Sequence, residues 1–157
     1  MTAAEATGVT FGAGEVGRVV DLGTVTVTSD MITNYARAVG DDEWLAVPGR
    51  TEAPPTFCVA LRPGMAPDVP LPPTHFGVHG GHDLDLMVPI RAGETYRVTA
   101  RIVDVFEKSG RSGALIVVVR EVTIRDALDH PVARMVERQM IRELPILQPA
   151  RVTGRRD

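Results

Sequence analysis

The stretch HGGHDLDLMVPIRAGE, residues 79–94, decides how this chain folds. A histidine- and glycine-rich strand, Phe76 to Pro89, runs into a short turn, Arg91 to Glu94 around Gly93, and that turn starts three long strands. Thr95 to Glu107 comes first, with Tyr96, Val98, Ala100 and Ile102 on one face, as a period of two requires. Lys108 to Gly113 carries two glycines and forms a hairpin. Ala114 to Arg125 contains LIVVV, too continuous for a solvated strand. Asp126 to His130 is the last turn before Pro131 to Arg142. The second half therefore reads as an antiparallel meander, and chemistry is expected beside its opening segment.

Upstream, Arg18 to Thr28 (RVVDLGTVTVT) is rich in β-branched residues and fits a half-buried strand. Ser29 or Asp30 is expected to cap a helix. Met31, Ile32, Tyr35, Ala38 and Val39 recur near the helical period, and Gly40 supplies the stop. After the acids Asp41, Asp42 and Glu43 comes PPTFCVALRPG. Pro55 in the first turn and Pro63-Gly64 as terminator bracket about two turns of helix. It is apolar on nearly all sides, so it should lie buried across a sheet. The prolines between Gly64 and Thr74 make a stiff connection. Residues 1–15 are expected to be a flexible start, 16–143 the folded domain, and 144–157 a tail.

The 157 residues suit one domain with a single core. With 44% hydrophobic and 24% charged residues and a net charge of −3, the composition is that of a globular protein and asks for no nucleic acid. No apolar run approaches the roughly 20 residues that span a bilayer, and Met1 to Val9 lacks the regions of a signal peptide. The expected location is the cytoplasm, with no membrane contact. Cys58 is the only cysteine, between Phe57 and Val59, so it reads as a buried thiol.

One strand, a short helix, a buried helix and four long strands give an α+β domain. Four stretches sharpen this: APPTF from Ala53, VHGGH from Val78, PIRAGE from Pro89 and RIVDVFEKSG from Arg101. Together they resemble the MaoC-like group of hot dog proteins. More narrowly, they resemble its N-terminal-half branch, related to the dehydratase domain of type I fatty acid synthases and to mycobacterial 3-hydroxyacyl-ACP dehydratase subunits. The resemblance runs from about Val16 to Arg142. It implies a single hot dog domain, an antiparallel sheet wrapped around a central helix. It also implies reversible addition of water across the α,β double bond of an acyl thioester, carried by coenzyme A or acyl carrier protein, with no cofactor and no metal.

Related R-specific hydratases share a Gly-Asp-x-Asn-Pro-x-His loop after the first helix. Here it matches as Gly40-Asp41, while the Asn, Pro and His positions read Glu43, Trp44 and Ala46. Their Ala-His-Gly at the central helix reads Pro54-Pro55-Thr56. The resemblance thus implies a tunnel-lining subunit paired with a catalytic MaoC-like chain. Two alternatives stay open: a self-sufficient homodimer using Asp41 and His79 as catalytic groups, and a non-enzymatic acyl-binding module. Thr56, Phe57, Gly80, Gly81 and His82 are the candidate substrate-binding residues.

His79 and His82, three apart in a strand, should point to opposite faces, so at most one meets substrate. His79 has the better claim, because Gly80 and Gly81 let a thioester approach the backbone. His75 and His130 read as surface residues. Zinc binding by His75, His79 and His82 would need a helix, which Gly80, Gly81, Phe76 and Val78 argue against. Arg62, Arg91, Arg97 and Arg142 are candidates for coenzyme A phosphates or an acidic carrier, but read individually as solvated strand ends. The open sheet edge makes pairing, with itself or a homologue, the expectation.

Overall fold

The chain's fold is seen in a computed structural model, which describes residues 13–69, 71, 73–110 and 113–143. The expected flexible start up to residue 12 and the tail 144–157 lie outside the described residues. Ala13–Glu15 forms a short 3-10 turn, and Val16 makes a parallel bridge to Ile102.

Five strands form one antiparallel sheet: β1 (Val19–Thr26), β2 (His75–Leu86), β3 (Thr95–Gly110), β4 (Gly113–Arg125) and β5 (Pro131–Glu143). Their order is β1-β3-β4-β5-β2. The expected meander therefore holds for β3, β4 and β5 but not for β2, which pairs with β5 at the far edge instead of with β3. Composition explains the placement. The apolar β4 needs a neighbour on each side, whereas the glycine-rich β2 fits an edge, where irregular pairing is tolerated.

The expected face Tyr96, Val98, Ala100 and Ile102 is buried in full. It continues through Val122, Ile124, Ala133 and Met135 across the concave side of the sheet. The convex side is solvated and laced by ions: Asp85, Arg134, Glu121 and Arg101 form a chain of ion pairs across four strands, and Asp83 pairs with Arg138.

Helix α1 (Ser29–Val39) lays Ile32 and Ala36 into the core. Thr28, and not Ser29 or Asp30, caps it: Thr28 is extended and its hydroxyl accepts from the Met31 N–H at 3.2 Å. Asp30 instead sits in the first turn, where a carboxylate complements the helix dipole. Gly40, at φ 71°, closes the helix as expected.

The segment expected to be a buried helix is a 3-10 helix, Pro55–Ala60. Pro54 and Pro55 withhold N–H groups at its start and Pro63 follows its end, which keeps it short and tight. Phe57 and Cys58 are buried, but Pro55, Thr56 and Ala60 are exposed, so the helix is one-sided. Cys58 is a core thiol whose Sγ donates to the Pro55 carbonyl, and burial pushes its pKa up.

Two of the marker stretches pack on each other. The Ala53 N–H donates to Ile90 O and the Ala92 N–H to Thr51 O, while the Gly93 N–H donates to Val27 O and the Val27 N–H to Glu94 O. The turn ahead of β3 is thereby fixed between the end of β1 and the start of the 3-10 helix.

Candidate active site

Asp41 follows the αL residue Gly40 and opens a four-residue helix, α2 (Asp42–Leu45). Its Oδ1 accepts from the Trp44 N–H at 3.0 Å, so the carboxylate is the cap of α2. Trp44 is buried, and its Nε1 donates to Glu52 O at 2.8 Å. An indole that size fixes the loop by filling the core, and Asp41 is held by that loop.

On β2 the register shifts between His79 and Gly81: His79 faces Gln139 and Gly81 faces Arg138, leaving Gly80 as the extra residue of a bulge. Gly81 sits at φ 119°, a conformation side chains other than hydrogen rarely adopt. A Cβ on Gly80 would meet Met140 Cε at 3.0 Å and Arg138 O at 3.2 Å. The extra residue resets the alternation, so His82 falls on the same concave side as His79. The expectation that the two imidazoles point to opposite faces is therefore corrected. Their Nε2 and Nδ1 atoms lie 3.3 Å apart and their rings 5.4 Å apart. Both histidines are exposed. The structure joins His79 to His82 and Asp41 to Trp44; no described hydrogen bond or ion pair joins Asp41 to His79.

Thr56 is exposed at the start of the 3-10 helix, and its carbonyl accepts from Tyr35 Oη at 3.0 Å. Pro55 has no N–H, and the Phe57 N–H is taken by Pro54 O at 2.9 Å. The Thr56 N–H is thus the donor left at this helix start. Phe57 is a core residue, 2% exposed, with its ring edge-on to Tyr35.

Beside the histidines a polar belt runs across the sheet. Ile102, Arg120, Glu137 and His82 stand opposite one another across β3, β4, β5 and β2, with Val118, Gln139 and His79 in the next rank. Arg120 and Glu137 are 9% and 7% exposed. Arg120 donates to Pro67 O at 2.7 Å and to Gln139 Oε1 at 2.5 Å, and pairs with Asp68. Glu137 pairs with Arg62, whose pKa is lowered by burial and by the neighbouring charge of Arg120. The belt parts the core into a larger cluster against the helices and a smaller one of Val69, Ile102, Val118 and Ile141.

Residues 15–135 match the FAS1-like, dehydratase domain region family. The chain belongs to that family. Solved structures agree on the MaoC-like hot dog fold. The ChsH1-ChsH2 complex from Mycobacterium tuberculosis is 18% identical, with 85% of this chain and 86% of that one covered at a TM-score of 0.59. The C-terminally truncated HadBC (3R-hydroxyacyl-ACP dehydratase) complex of the same organism is 18% identical, covering 80% and 96%, at 0.59. A MaoC-like dehydratase from Rhodospirillum rubrum is 14% identical, covering 83% and 94%, at 0.56. A search of curated protein sequences finds no match. As a member of this family, the chain is a dehydratase or a subunit of one.

Within the dehydratase family, the sequence departures at Glu43, Trp44 and Ala46 now have a structural counterpart: a capped helix built around a buried indole. Arg91 and Arg97, candidates for phosphate contacts, are tied to Glu52 and Asp21, and Arg62 to Glu137. Among the described residues no group of three or more metal-ligating side chains converges, and no helix is long and apolar enough to cross a membrane. The belt residues Arg120 and Glu137 escaped the sequence reading. Their signal was a charge at an inward position of a strand, Glu137 between Met135 and Ile141.

Proposed function

We propose that the chain is one half of a paired (3R)-hydroxyacyl-thioester dehydratase or enoyl-thioester hydratase. It lines the acyl tunnel for acyl-ACP or acyl-CoA in the cytoplasm, and a second MaoC-like chain completes the site. Removing water requires a base at the α-carbon, an acid for the leaving hydroxyl and donors for the enolate-like oxygen. The observation that carries this reading is the division of Asp41 from His79: the carboxylate caps α2 and the imidazole pairs with His82. In this reading the partner brings the acid–base pair. This chain contributes the substrate-contact set: Thr56 with its N–H, Phe57 packing beneath it, and Gly80, Gly81 and His82 on β2.

The pairing surface is β2, an edge strand with Phe76 and Val78 partly exposed. An edge of that length invites another chain. That ChsH1-ChsH2 and HadBC were solved as complexes supports a partnered state. The test is Asp41→Asn in the assembled enzyme. Asparagine caps a helix as well as aspartate, so turnover should stay within about threefold. A loss of about a hundredfold or more, the usual contribution of a general acid or base, would place Asp41 in the chemistry instead.

A further inference from the structure

The polar belt has no role in that scheme as it stands, and it costs the core its continuity. A buried ionic band between two apolar clusters is a poor stabiliser compared with hydrocarbon of the same volume. We infer that the belt sets the class of acyl group the site takes: a short one, or one bearing oxygen where it meets the belt, and not an extended hydrocarbon chain. The inference rests on the dehydratase-subunit reading and names its substrate class.

The belt adjoins the substrate-contact residues by register: His82 faces Glu137, and His79 faces Gln139, on either side of the Gly80–Gly81 bulge. On β2 the two imidazoles are exposed and flank the glycines, so a ligand lying over the bulge meets them first. With His79 Nε2 and His82 Nδ1 turned to each other, His79 Nδ1 and His82 Nε2 are left to offer to a ligand. The buried charges beside them are held in place. Arg120 is held by Pro67 O, Asp68 and Gln139, and Glu137 by Arg62.

In an apolar groove each methylene of a longer acyl chain strengthens binding by about fourfold. Beside the bulge that gain is forfeited, because a methylene takes water from the exposed imidazoles without replacing its hydrogen bonds. A hydroxyl or carbonyl oxygen in the same place keeps those bonds. Discrimination by unpaired polar groups is stronger than discrimination by size alone.

The experiment compares hydration of three pantetheine thioesters, 2-hexenoyl, 5-hydroxy-2-hexenoyl and 2-dodecenoyl, by the full chain with its MaoC-like partner. In the parent protein kcat/KM for the dodecenoyl thioester should lie at least about tenfold below the other two. The variant H79L/H82L, altered only at exposed positions, should raise the dodecenoyl-to-hexenoyl ratio by about tenfold and erase any advantage of the 5-hydroxyl group. His82→Phe alone provides the same readout should the double variant not assemble. Equal turnover of the hexenoyl and dodecenoyl thioesters by the parent, or a ratio unmoved in a folded variant, would overturn the inference and leave the dehydratase reading standing. No turnover of any of the three would remove the dehydratase reading, and this inference with it.

Discussion

His79 and His82 meet at 3.3 Å on the concave side of β2 because Gly80 is an extra residue in the ladder and Gly81 turns the chain at φ 119°. The bulge re-aims one side chain, as bulges near functional sites commonly do. Replacing Gly81 by alanine puts a Cβ into open space, so the whole cost is backbone strain. Gly81→Ala should lower stability by about 1–3 kcal/mol in urea unfolding. A variant as stable as the parent would mean the bulge is not as described.

The turn ahead of β3 hangs on Tyr96. Its hydroxyl donates to Glu94 Oε2 at 2.6 Å and accepts from the Arg91 N–H at 2.9 Å. Burial, with the Glu94 hydrogen bond, pushes its pKa up to about 12. The folded state therefore holds the phenol proton more tightly than the unfolded chain. The resulting stability is complete below the unfolded value near 10 and is lost as pH rises toward 12. Phenolate absorbance in the folded protein should show one of the two tyrosines titrating late. Tyr96→Phe, which removes the hydrogen bonds to the Arg91 N–H and the Glu94 carboxylate, should cost about 0.5–1.5 kcal/mol.

Glu137 and Arg62 give a third test. Glu137→Ala leaves Arg62, whose side chain is 31% exposed, without its partner and should cost about 1.5–3 kcal/mol. The double variant Arg62→Met with Glu137→Met removes both charges and keeps the volume, so it should recover most of that loss. Equilibrium unfolding of the two variants decides it. Equal destabilisation of both would show that the pair contributes more than mutual neutralisation.

Strand composition, turns and the Gly40 helix stop made most of the fold legible. The inward row Tyr96, Val98, Ala100 and Ile102 and the stop at Gly40 are local patterns that tertiary packing respected. The edge position of β2 was not legible, because strand order depends on which faces need two neighbours, a non-local property. The histidine pair was misread for a related reason. Strict alternation separates residues three apart, and a single extra glycine cancels it; the Gly80-Gly81 doublet was the visible sign. Asp41 was found as a residue, but its engagement by Trp44 depends on a helix four residues long, below the reach of periodicity. The belt was missed because Arg62 and Asp68, in the connection after the 3-10 helix, meet Arg120 of β4 and Glu137 of β5 from three separate parts of the chain.

The most direct measurement is hydration of crotonyl-CoA, followed by loss of enoyl-thioester absorbance, for the purified chain alone and after assembly with a catalytic MaoC-like partner. The chain alone should be inactive, and assembly should raise turnover above that of the partner alone by about a hundredfold or more. Robust turnover by the chain alone would contradict the account, since it would require Asp41, His79 or another of its own groups to supply the acid and base.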